Sequence, residues 1–254
     1  ATLEDGTRVS AEAFRCVACD CGLLATGGEG ENLNIGRRAR SIPPAIRRAL
    51  LVRDGGFPGT VIATQGRLQQ LNMVSSTRLR AEAGVACARV ARAGAKAGLC
   101  GLEFLAGIPG TMGGALAMNA GAFGTETWQR VLQVQTVDRH GEVRSRAPEY
   151  FDIGYRHVRG PEGEWFLSTL RVGKSGDVEA GRREIRRLLE RRAETQPIGL
   201  ASCGSVFRNP EGDYAARLIE RCGLKGTCVG GACVSEKHAN FIINDRAASA
   251  AGFG

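Results

Sequence analysis

The sequence predicts an α+β fold in two parts, and three observations indicate it. Residues 131–138 and 142–145 have the pattern of a β-hairpin, with a turn at His140-Gly141 between them. Three helices are predicted from apolar spacing and from the Gly or Pro that follows each, over residues 85–97, 179–194 and 213–222. The helix at 179–194 is so highly charged outside one apolar stripe that it favours an exposed connector between two domains.

The first half of the chain gives a clear pattern only after residue 50. Residues 11–16 suit a short helix, and residues 37–48 are basic and contain proline. Turn dipeptides then precede a β-rich run over residues 60–64. A short strand over residues 79–84 leads into the helix that stops near Gly98.

Side-chain periodicity assigns faces to the later elements. In the strand at 131–138, three residues are expected to share one face, namely Leu132, Val134 and Thr136. The connector helix ends before Pro197, and its apolar stripe consists of Ile185, Leu188 and Leu189. The last helix ends before Gly223, which suits a left-handed C-cap, and its apolar residues are Ala215, Leu218, Ile219 and Cys222. Residues 240–244 then have the pattern of a strand.

Composition limits the class of protein. Hydrophobic residues at 43% and charged residues at 24% are typical of a soluble globular chain. The formal net charge is +8, but aromatic residues make up only 6%, whereas nucleic-acid sites interleave basic and aromatic side chains. A small anionic ligand fits this charge as well as a polyanion does, so no nucleic-acid partner is expected. No membrane span and no signal-peptide pattern is evident, so we expect no membrane partner and a cytoplasmic location.

The nine cysteines favour neither a disulfide framework nor a metal site. An odd number of cysteines in a chain of 254 residues is a poor disulfide framework. Cys16, Cys19 and Cys21 form a CxxCxC cluster, but no second pair completes the four ligands of a structural zinc site. The others stand singly in apolar or glycine-rich contexts and are expected to be small core residues: Cys87, Cys100, Cys203, Cys222, Cys228 and Cys233.

The glycine-rich segment over residues 101–124 is the most unusual part of the chain. Its glycines are spaced G-x-x-G-x-x-G-G from Gly107 onward, which is not the Rossmann G-x-G-x-x-G pattern. Such a turn offers many unhindered backbone N–H groups, which can bind a pyrophosphate without a lysine. The alternative is a tight loop that packs against a neighbouring strand.

Three further residues suit chemistry, each with an ordinary alternative. Ser205 follows Gly204 in a turn and can donate a proton, or it belongs to a Ser/Asn-rich turn closed by proline. Arg156 follows an aromatic residue and can hold a carboxylate in a bidentate fork, or it lies on the surface. His238 is either a polar contact to a ligand or a helix-end residue. Neither a complete Walker A loop nor a G-x-S-x-G elbow is present.

Taken together, these segments resemble the UDP-N-acetylenolpyruvoylglucosamine reductase family of peptidoglycan precursor synthesis, which serves cell wall biogenesis, cell shape and cell division. Three blocks carry the resemblance in the family's order: residues 101–124 (GLEFLAGIPGTMGGALAMNAGAFG), 204–210 (GSVFRNP) and 216–244 (ARLIERCGLKGTCVGGACVSEKHANFIIN). Residues 51–64 and Tyr155-Arg156 match more weakly.

The resemblance implies a flavoprotein oxidoreductase. It implies an FAD-binding domain of the vanillyl-alcohol-oxidase type over residues 1–174, of which residues 1–50 are atypical. A connecting helix over residues 175–197 and a smaller α/β substrate-binding domain over residues 198–254 would follow. NADPH would reduce FAD, which would pass a hydride to the enolpyruvyl double bond of a UDP-sugar. No metal is implied, and the oligomeric state is left open.

The resemblance also assigns roles to single residues. Ser205 matches the serine that protonates the resulting carbanion. Arg156 matches the arginine that holds the substrate carboxylate and stabilises the enolate-like charge. Substrate contacts fall on Asn209, Lys225 and His238. Flavin contacts fall on Gly107, Ile108, Pro109, Gly110, Thr111, Gly113, Gly114, Asn119 and Gly121.

The chain departs from the family's pattern in two places. Residues 43–50 stand where the family has a GGGSN phosphate loop, and residues 27–32 echo that loop only faintly. The family continues beyond the position of Asn244 to a glutamate that partners the arginine and the serine, so we expect a truncated substrate domain. One alternative is therefore an impaired member that binds flavin or nucleotide-sugar without turnover. Another flavin oxidase of the same FAD-domain superfamily is a third hypothesis.

Overall fold

The structure is a computed structural model, and it describes residues 23–26, 60–63 and 67–244. The expectations for residues 11–16, for the CxxCxC cluster and for the loop echo at 27–32 lie outside the described residues. The chain divides into two compact units. Of the described residues, those up to Leu189 belong to the first unit and those from Glu190 onward to the second. The domain limits at residues 174 and 198 stay a prediction.

The elements are mainly β-strands, with a few helices between them. The strands of the first unit are β1 (Leu23–Thr26), β2 (Thr60–Ala63), β3 (Leu71–Ser75), β4 (Arg78–Glu82), β5 (Leu99–Cys100), β6 (Gly121–Ala122), β7 (Thr125–Glu126), β8 (Val131–Asp138), β9 (Val143–Arg146), β10 (Asp152–Gly154), β11 (His157–Arg159), β12 (Glu164–Val172) and β13 (Lys174–Ser175). Its helices are α1 (Cys87–Lys96), α2 (Met112–Met118) and 3₁₀ helices at Glu103–Gly107, Thr127–Arg130 and Pro148–Tyr150. Helix α3 (Val178–Thr195) crosses from the first unit into the second. The second unit adds β14 (Ser202–Ser205), α4 (Ala215–Arg221), β15 (Cys228–Val229), β16 (Ala232–Val234) and β17 (Phe241–Asn244).

A five-stranded antiparallel sheet in the order β3-β4-β12-β8-β9 frames the first unit. Strand β12 is central, and its residues Thr169 and Arg171 are fully buried on one face. The predicted hairpin is confirmed by β8 and β9, and Gly141 adopts a φ of 84° in the turn between them. Glycine suits this left-handed conformation because it has no Cβ.

One residue of β8 faces the opposite way from the prediction. Leu132 is 37% exposed, while Val131 and Val134 are buried. Strand β12 pairs Leu170 with Gln133 but the next residue with Val131, so Leu132 is an extra residue in the ladder. A β-bulge of this kind breaks the alternation of side chains, and a pattern of period two does not reveal it.

The main core of the first unit forms between helix α1 and the segment that follows it. The predicted helix is confirmed, and it buries residues at helical spacing, namely Cys87, Val90, Ala91, Gly94 and Ala95. A Cβ at position 94 would lie 3.4 Å from the Leu99 carbonyl oxygen, so glycine permits the close approach of that chain. Leu102, Phe104 and Leu105 belong to the same core and hold the start of the glycine-rich segment in place.

Helix α3 confirms the predicted charged helix, but its buried face is narrower than predicted. Ile185 and Leu188 are buried, whereas Leu189 is 41% exposed. Leu189 lies about 100° around the helix from its predecessor and so leaves the buried stripe.

No helix in the described part of the chain combines the length and the apolar character that a membrane crossing requires.

The second unit has a four-stranded antiparallel sheet in the order β14-β17-β16-β15. Strand β17 confirms the predicted strand at 240–244. The predicted cap at Gly223 is also confirmed: its φ is 70°, its N–H donates to the Glu220 carbonyl, and the Leu224 N–H donates to the Ile219 carbonyl. The predicted apolar face of α4 is only partly right, because Ala215 is buried but Leu218 and Cys222 are exposed.

Cysteine pairing is a further correction. Cys228 and Cys233 oppose each other across β15 and β16 and form a disulfide, with Cα atoms 4.1 Å apart. The prediction that they stand singly is wrong because the hairpin places them in register. Of the other cysteines that the structure describes as free thiols, Cys87 is buried as predicted, Cys100 is half-buried and Cys222 is exposed.

Candidate functional site

The glycine-rich segment folds as a 3₁₀ helix, a turn and helix α2. Gly110 adopts a φ of 98° in the turn, and Thr111 precedes α2 in an extended conformation. Asn119 follows α2 in the left-handed conformation, with a φ of 45°. Asparagine is one of the few non-glycine residues that adopt this conformation readily.

Two backbone N–H groups of this segment are already bound within the protein. The Met112 N–H donates to the Val85 carbonyl at 2.8 Å, and the Gly113 N–H donates to the Ala83 carbonyl at 2.9 Å. The expectation of unhindered N–H groups is therefore wrong at the start of α2. The chain at 83–85 takes these two donors, as in the alternative of a glycine-rich loop packed on its neighbour.

Close packing explains some of the glycines. A Cβ at Gly107 would lie 2.3 Å from the Phe123 ring, and one at Gly113 would lie 3.0 Å from the Ala83 Cβ. Both positions need glycine because protein atoms approach them. Sequence spacing does not distinguish such a glycine from one that admits a ligand.

Buried polar atoms in the first unit leave hydrogen-bonding capacity unused. Among the described residues, Thr111 Oγ1, Arg130 Nε and two nitrogens of Arg171 (Nε and Nη1) are buried without a hydrogen-bond partner. Buried polar atoms are normally satisfied, so such atoms can accept a further polar group. The Thr111 hydroxyl lies within the glycine-rich segment, and in this respect the segment fits a bound flavin nucleotide.

Asn119 joins the glycine-rich segment to two other segments through its buried amide. Its Nδ2 donates to Glu126 Oε2 at 2.7 Å and to the Gly154 carbonyl at 3.1 Å. Its Oδ1 accepts from the Trp128 N–H at 3.1 Å. Both amide hydrogens are therefore used within the protein.

Arg156 lies in the turn between β10 and β11. Gly154 pairs with His157, so Tyr155 and Arg156 form a two-residue turn. Arg156 adopts a φ of 50°, which is uncommon for a residue with a long side chain. Residues held in sparsely populated conformations cluster at functional sites, so this geometry supports a functional hypothesis for Arg156.

Ser205 is the last residue of β14, where it pairs with Phe241 of β17. Gly204 before it has a φ of 81°, and the pairing shifts register between Ser202 and Ser205. Such a bulge redirects the side chain that follows it. The half-buried Ser205 is thereby set at the edge of the ladder rather than in a simple turn.

Sequence reasoning missed Asn240, which fixes the chain just after Ser205. Its Oδ1 accepts from the Phe207 N–H and its Nδ2 donates to the Phe207 carbonyl, both at 2.8 Å. Its own carbonyl accepts from the Val206 N–H at 2.9 Å. The available signal was a polar residue directly before the apolar run of β17.

His238 lies in the turn before β17 and not at a helix end. Its Nδ1 accepts a hydrogen bond from the Asn240 N–H at 3.2 Å, which assigns the proton of the neutral ring to Nε2. Burial lowers its pKa, and the nearby charge of Lys225 lowers it further. The imidazole is therefore a neutral hydrogen-bond donor near neutral pH.

The other two predicted substrate residues have partners within the second unit. Lys225 forms an ion pair with Glu220. Asn209 is exposed, and its Oδ1 accepts from the Ala215 N–H at 3.1 Å, at the start of α4. Contact of either residue with substrate stays a prediction.

The predicted site residues form two groups, one in each unit. Asn119 and Arg156 are linked through Gly154 in the first unit. Ser205 and His238 are linked in the second unit because both adjoin Asn240 and Phe241. Across the described ranges, no group of His, Cys, Asp or Glu side chains is placed to hold a metal ion.

Two protein-family models match this chain. Residues 47–146 match a model described as an FAD binding domain. Residues 196–253 match a model described as the C-terminal domain of UDP-N-acetylenolpyruvoylglucosamine reductase.

Relatives with that name match over most of the chain. The reductase of Alkalilimnicola ehrlichii is 60% identical over 202 residues, covering 80% of this chain and 67% of the relative. The reductase of Legionella pneumophila strain Corby is 58% identical, covering 79% of this chain and 65% of the relative. The reductase of Coxiella burnetii strain Dugway is 51% identical, covering 80% of this chain and 70% of the relative. This chain thus spans about two thirds of the length of these relatives.

A solved structure supports the same assignment. The UDP-N-acetylenolpyruvylglucosamine reductase of Thermus caldophilus matches with a TM-score of 0.70 and 32% identity, covering 80% of this chain and 74% of that one. The α+β fold with an FAD-binding domain is therefore confirmed. The coverage and identity of the relatives, together with both family models, lead to one conclusion: the chain belongs to the UDP-N-acetylenolpyruvoylglucosamine reductase family.

Proposed function

We propose that this chain reduces UDP-N-acetylenolpyruvoylglucosamine to UDP-N-acetylmuramate, with FAD as cofactor and NADPH as reductant. The observation that carries the proposal is the pairing of an FAD-binding family model with the reductase-specific C-terminal model in one chain. We expect the protein to act on a small UDP-sugar, in the cytoplasm.

The glycine-rich segment, including Thr111, would hold the flavin. A bound FAD supplies hydride chemistry that no side chain offers. Thr111 supports this assignment because its buried hydroxyl has no hydrogen-bond partner among the described residues. Binding of the substrate carboxylate and delivery of the proton are assigned to side chains of the protein.

Arg156 is proposed to bind the carboxylate of the enolpyruvyl group. Addition of a hydride to the methylene carbon leaves negative charge on the carbon that bears this carboxylate. A guanidinium forks two N–H bonds to a carboxylate, and it stabilises the charge that spreads onto the carboxylate oxygens. The left-handed turn supports this role because it gives Arg156 a defined direction on a short hairpin.

Ser205 is proposed to deliver the proton that completes the reduction. Its Oγ–H would protonate the carbon that bears the carboxylate, and solvent would restore the hydroxyl proton. An alcohol is a weak acid and suits this step only because the carbanion is strongly basic. His238, as a neutral donor close to the same strand end, is proposed to bind a polar oxygen of the substrate.

The test is a two-stage anaerobic experiment on the FAD-loaded chain. NADPH should bleach the flavin absorbance, and addition of UDP-N-acetylenolpyruvoylglucosamine should restore it while UDP-N-acetylmuramate forms. Ser205→Ala should bleach normally but reoxidise about 10²- to 10⁴-fold more slowly. Failure of the wild-type chain to reoxidise with the sugar would favour the impaired-member alternative, and full turnover of the sugar by Ser205→Ala would refute the proton-donor role of Ser205.

A further inference from the structure

Asn119 has a bonding pattern that points to a role beyond the end of a helix. The side chain is 3% exposed, and it uses both Nδ2 hydrogens and one Oδ1 lone pair in hydrogen bonds between 2.7 and 3.1 Å. An amide with both donors used inside the protein has no N–H left for a cofactor. The side-chain hydrogen bonds of Asn119 therefore connect parts of the protein to each other.

The three bonds reach two other segments of the first unit. The Trp128 N–H lies in the 3₁₀ helix that follows β7, and Glu126 begins that helix with a capping box to Gln129. The third partner, the Gly154 carbonyl, lies 35 residues away in sequence. One buried amide thus ties the end of α2 to the hairpin that carries Arg156.

Val158 of the hairpin belongs to a buried cluster with Leu116 and Trp128. The Asn119 bond acts at the turn end of the hairpin, at Gly154. Gly154 closes β10, and Arg156 follows two residues later in the turn. The β10–β11 ladder forms a two-stranded sheet of its own, with an exposed contact between His157 and Asp152. A hydrogen bond to the Gly154 carbonyl therefore fixes the base of the turn and with it the direction in which Arg156 leaves the chain.

We propose that Asn119 is a positioning residue for Arg156, an inference that rests on the proposed function of Arg156 as the carboxylate-binding group. Loss of the Asn119–Gly154 bond lets the turn move and weakens recognition of the carboxylate. It leaves flavin affinity close to that of the wild type, because both amide donors are already used within the protein.

The first test is a double-mutant cycle in the full chain. Asn119→Gly retains the left-handed backbone and removes the amide. We expect kcat/KM for the enolpyruvyl sugar to fall about tenfold, the equivalent of the one lost hydrogen bond to the Gly154 carbonyl, with FAD content unchanged. In an Arg156→Ala background the same change should cost less than about twofold, because coupled residues are not additive.

The second test isolates the Gly154 bond by ligand binding. In Asn119→Asp combined with Glu126→Gln, the two side chains can still share a hydrogen bond with the donor reversed, but no donor faces the Gly154 carbonyl. The ratio of affinities for the enolpyruvyl sugar and for UDP-N-acetylglucosamine, which lacks the carboxylate, should fall about tenfold. Gln129→Ala, which removes the exposed capping-box bond alone, is the matched control and should leave the ratio unchanged.

The outcomes separate the two proposals. A loss of FAD in Asn119→Gly, or equal costs of this change with and without Arg156, overturns the positioning role. An unchanged ratio of the two affinities in the Asn119→Asp, Glu126→Gln variant overturns it as well. This outcome counts even if Asn119→Gly does not fold. A wild-type chain that does not prefer the carboxylate-bearing sugar refutes the proposed function, and the role of Asn119 is then refuted with it.

Discussion

Arg171 places a positive charge on the buried face of the five-stranded sheet. Within the described residues its Nη2 donates to the Thr127 carbonyl at 2.9 Å, while Nε and Nη1 have no partner. Burial is the main cause that lowers its pKa, to about 10, and the nearby Arg130 adds repulsion. Burial also raises the pKa of the adjacent Cys87 thiol to about 12, so that thiol stays neutral.

Replacement of this charge by an apolar side chain should stabilise the protein. Arg171→Met replaces the long side chain by an apolar one and removes a desolvated cation that has no ionised partner. We expect the free energy of unfolding of the FAD-free chain to rise by about 1 kcal/mol or more. Urea unfolding measures this, with Arg171→Lys as the control that keeps the charge. A lower stability for Arg171→Met than for the wild type would contradict the expectation.

His238 should make stability depend on pH. Its folded-state pKa lies below the usual 6.5, so the unfolded chain takes up the proton more readily. The favourable contribution is complete above pH 6.5 and is lost as pH falls through the lower folded-state value. The charge of Lys225 opposes protonation of the His238 ring, and the charge of Glu220 favours it, so both groups contribute to the pKa of His238.

The variant His238→Gln tests that dependence. Glutamine keeps a hydrogen-bond donor but does not titrate, so the decline of stability below pH 6.5 should be shallower than in the wild type. The measurement is the urea midpoint across the acidic range, in which the exposed His140 and half-buried His157 are common to both proteins. Superimposable pH profiles would show that His238 does not contribute.

At the scale of elements, the end of α4 depends on one glycine. Gly223 adopts a φ of 70°, and a Cβ there would contact nothing within 4 Å. Gly223→Ala therefore introduces backbone strain without a clash, and we expect a loss of about 1 kcal/mol in the free energy of unfolding. Gly223→Asn is the control and should lose less. Equal stabilities of the alanine and glycine forms would contradict the capping argument.

The hairpin disulfide is the second element that invites a test. Cys228 and Cys233 are 5 residues apart in sequence, so the bond closes a short loop. Replacing both by serine should cost about 2 kcal/mol under oxidising conditions and nothing in the presence of a reductant. Cys222→Ser, at the exposed free thiol, serves as the control. A cost that persists after reduction would assign the effect to packing instead.

Local elements were predicted well where their cause is local. Apolar spacing and a following Gly or Pro predicted α1, α3 and α4, and turn chemistry predicted the β8–β9 hairpin. The errors at Leu132, Leu189 and Leu218 have a different origin. A bulge opposite β12 turned the first outward, and the other two lie at the margin of their buried faces.

At the scale of the whole molecule, flavin binding should stabilise the native chain. A ligand that binds only the folded state adds about 2.7 kcal/mol at a concentration 100 times its Kd. Titration of FAD against the flavin-free chain should therefore raise the melting temperature progressively. Adenosine monophosphate, which lacks the flavin, should produce a smaller shift. No shift with FAD would contradict the assignment of the glycine-rich segment.

The sequence by itself determined the family, the candidate site residues and most local elements, because motifs, periodicity and turn residues are properties of neighbouring positions. Only the tertiary structure decided where the donors of the glycine-rich segment go, how Cys228 pairs, and what Asn119 and Asn240 hold. Their bonds to Gly154 and Phe207 span 35 and 33 residues. Contacts over such separations depend on how strands and loops pack in the tertiary structure, and the pattern of neighbouring residues does not predict that packing.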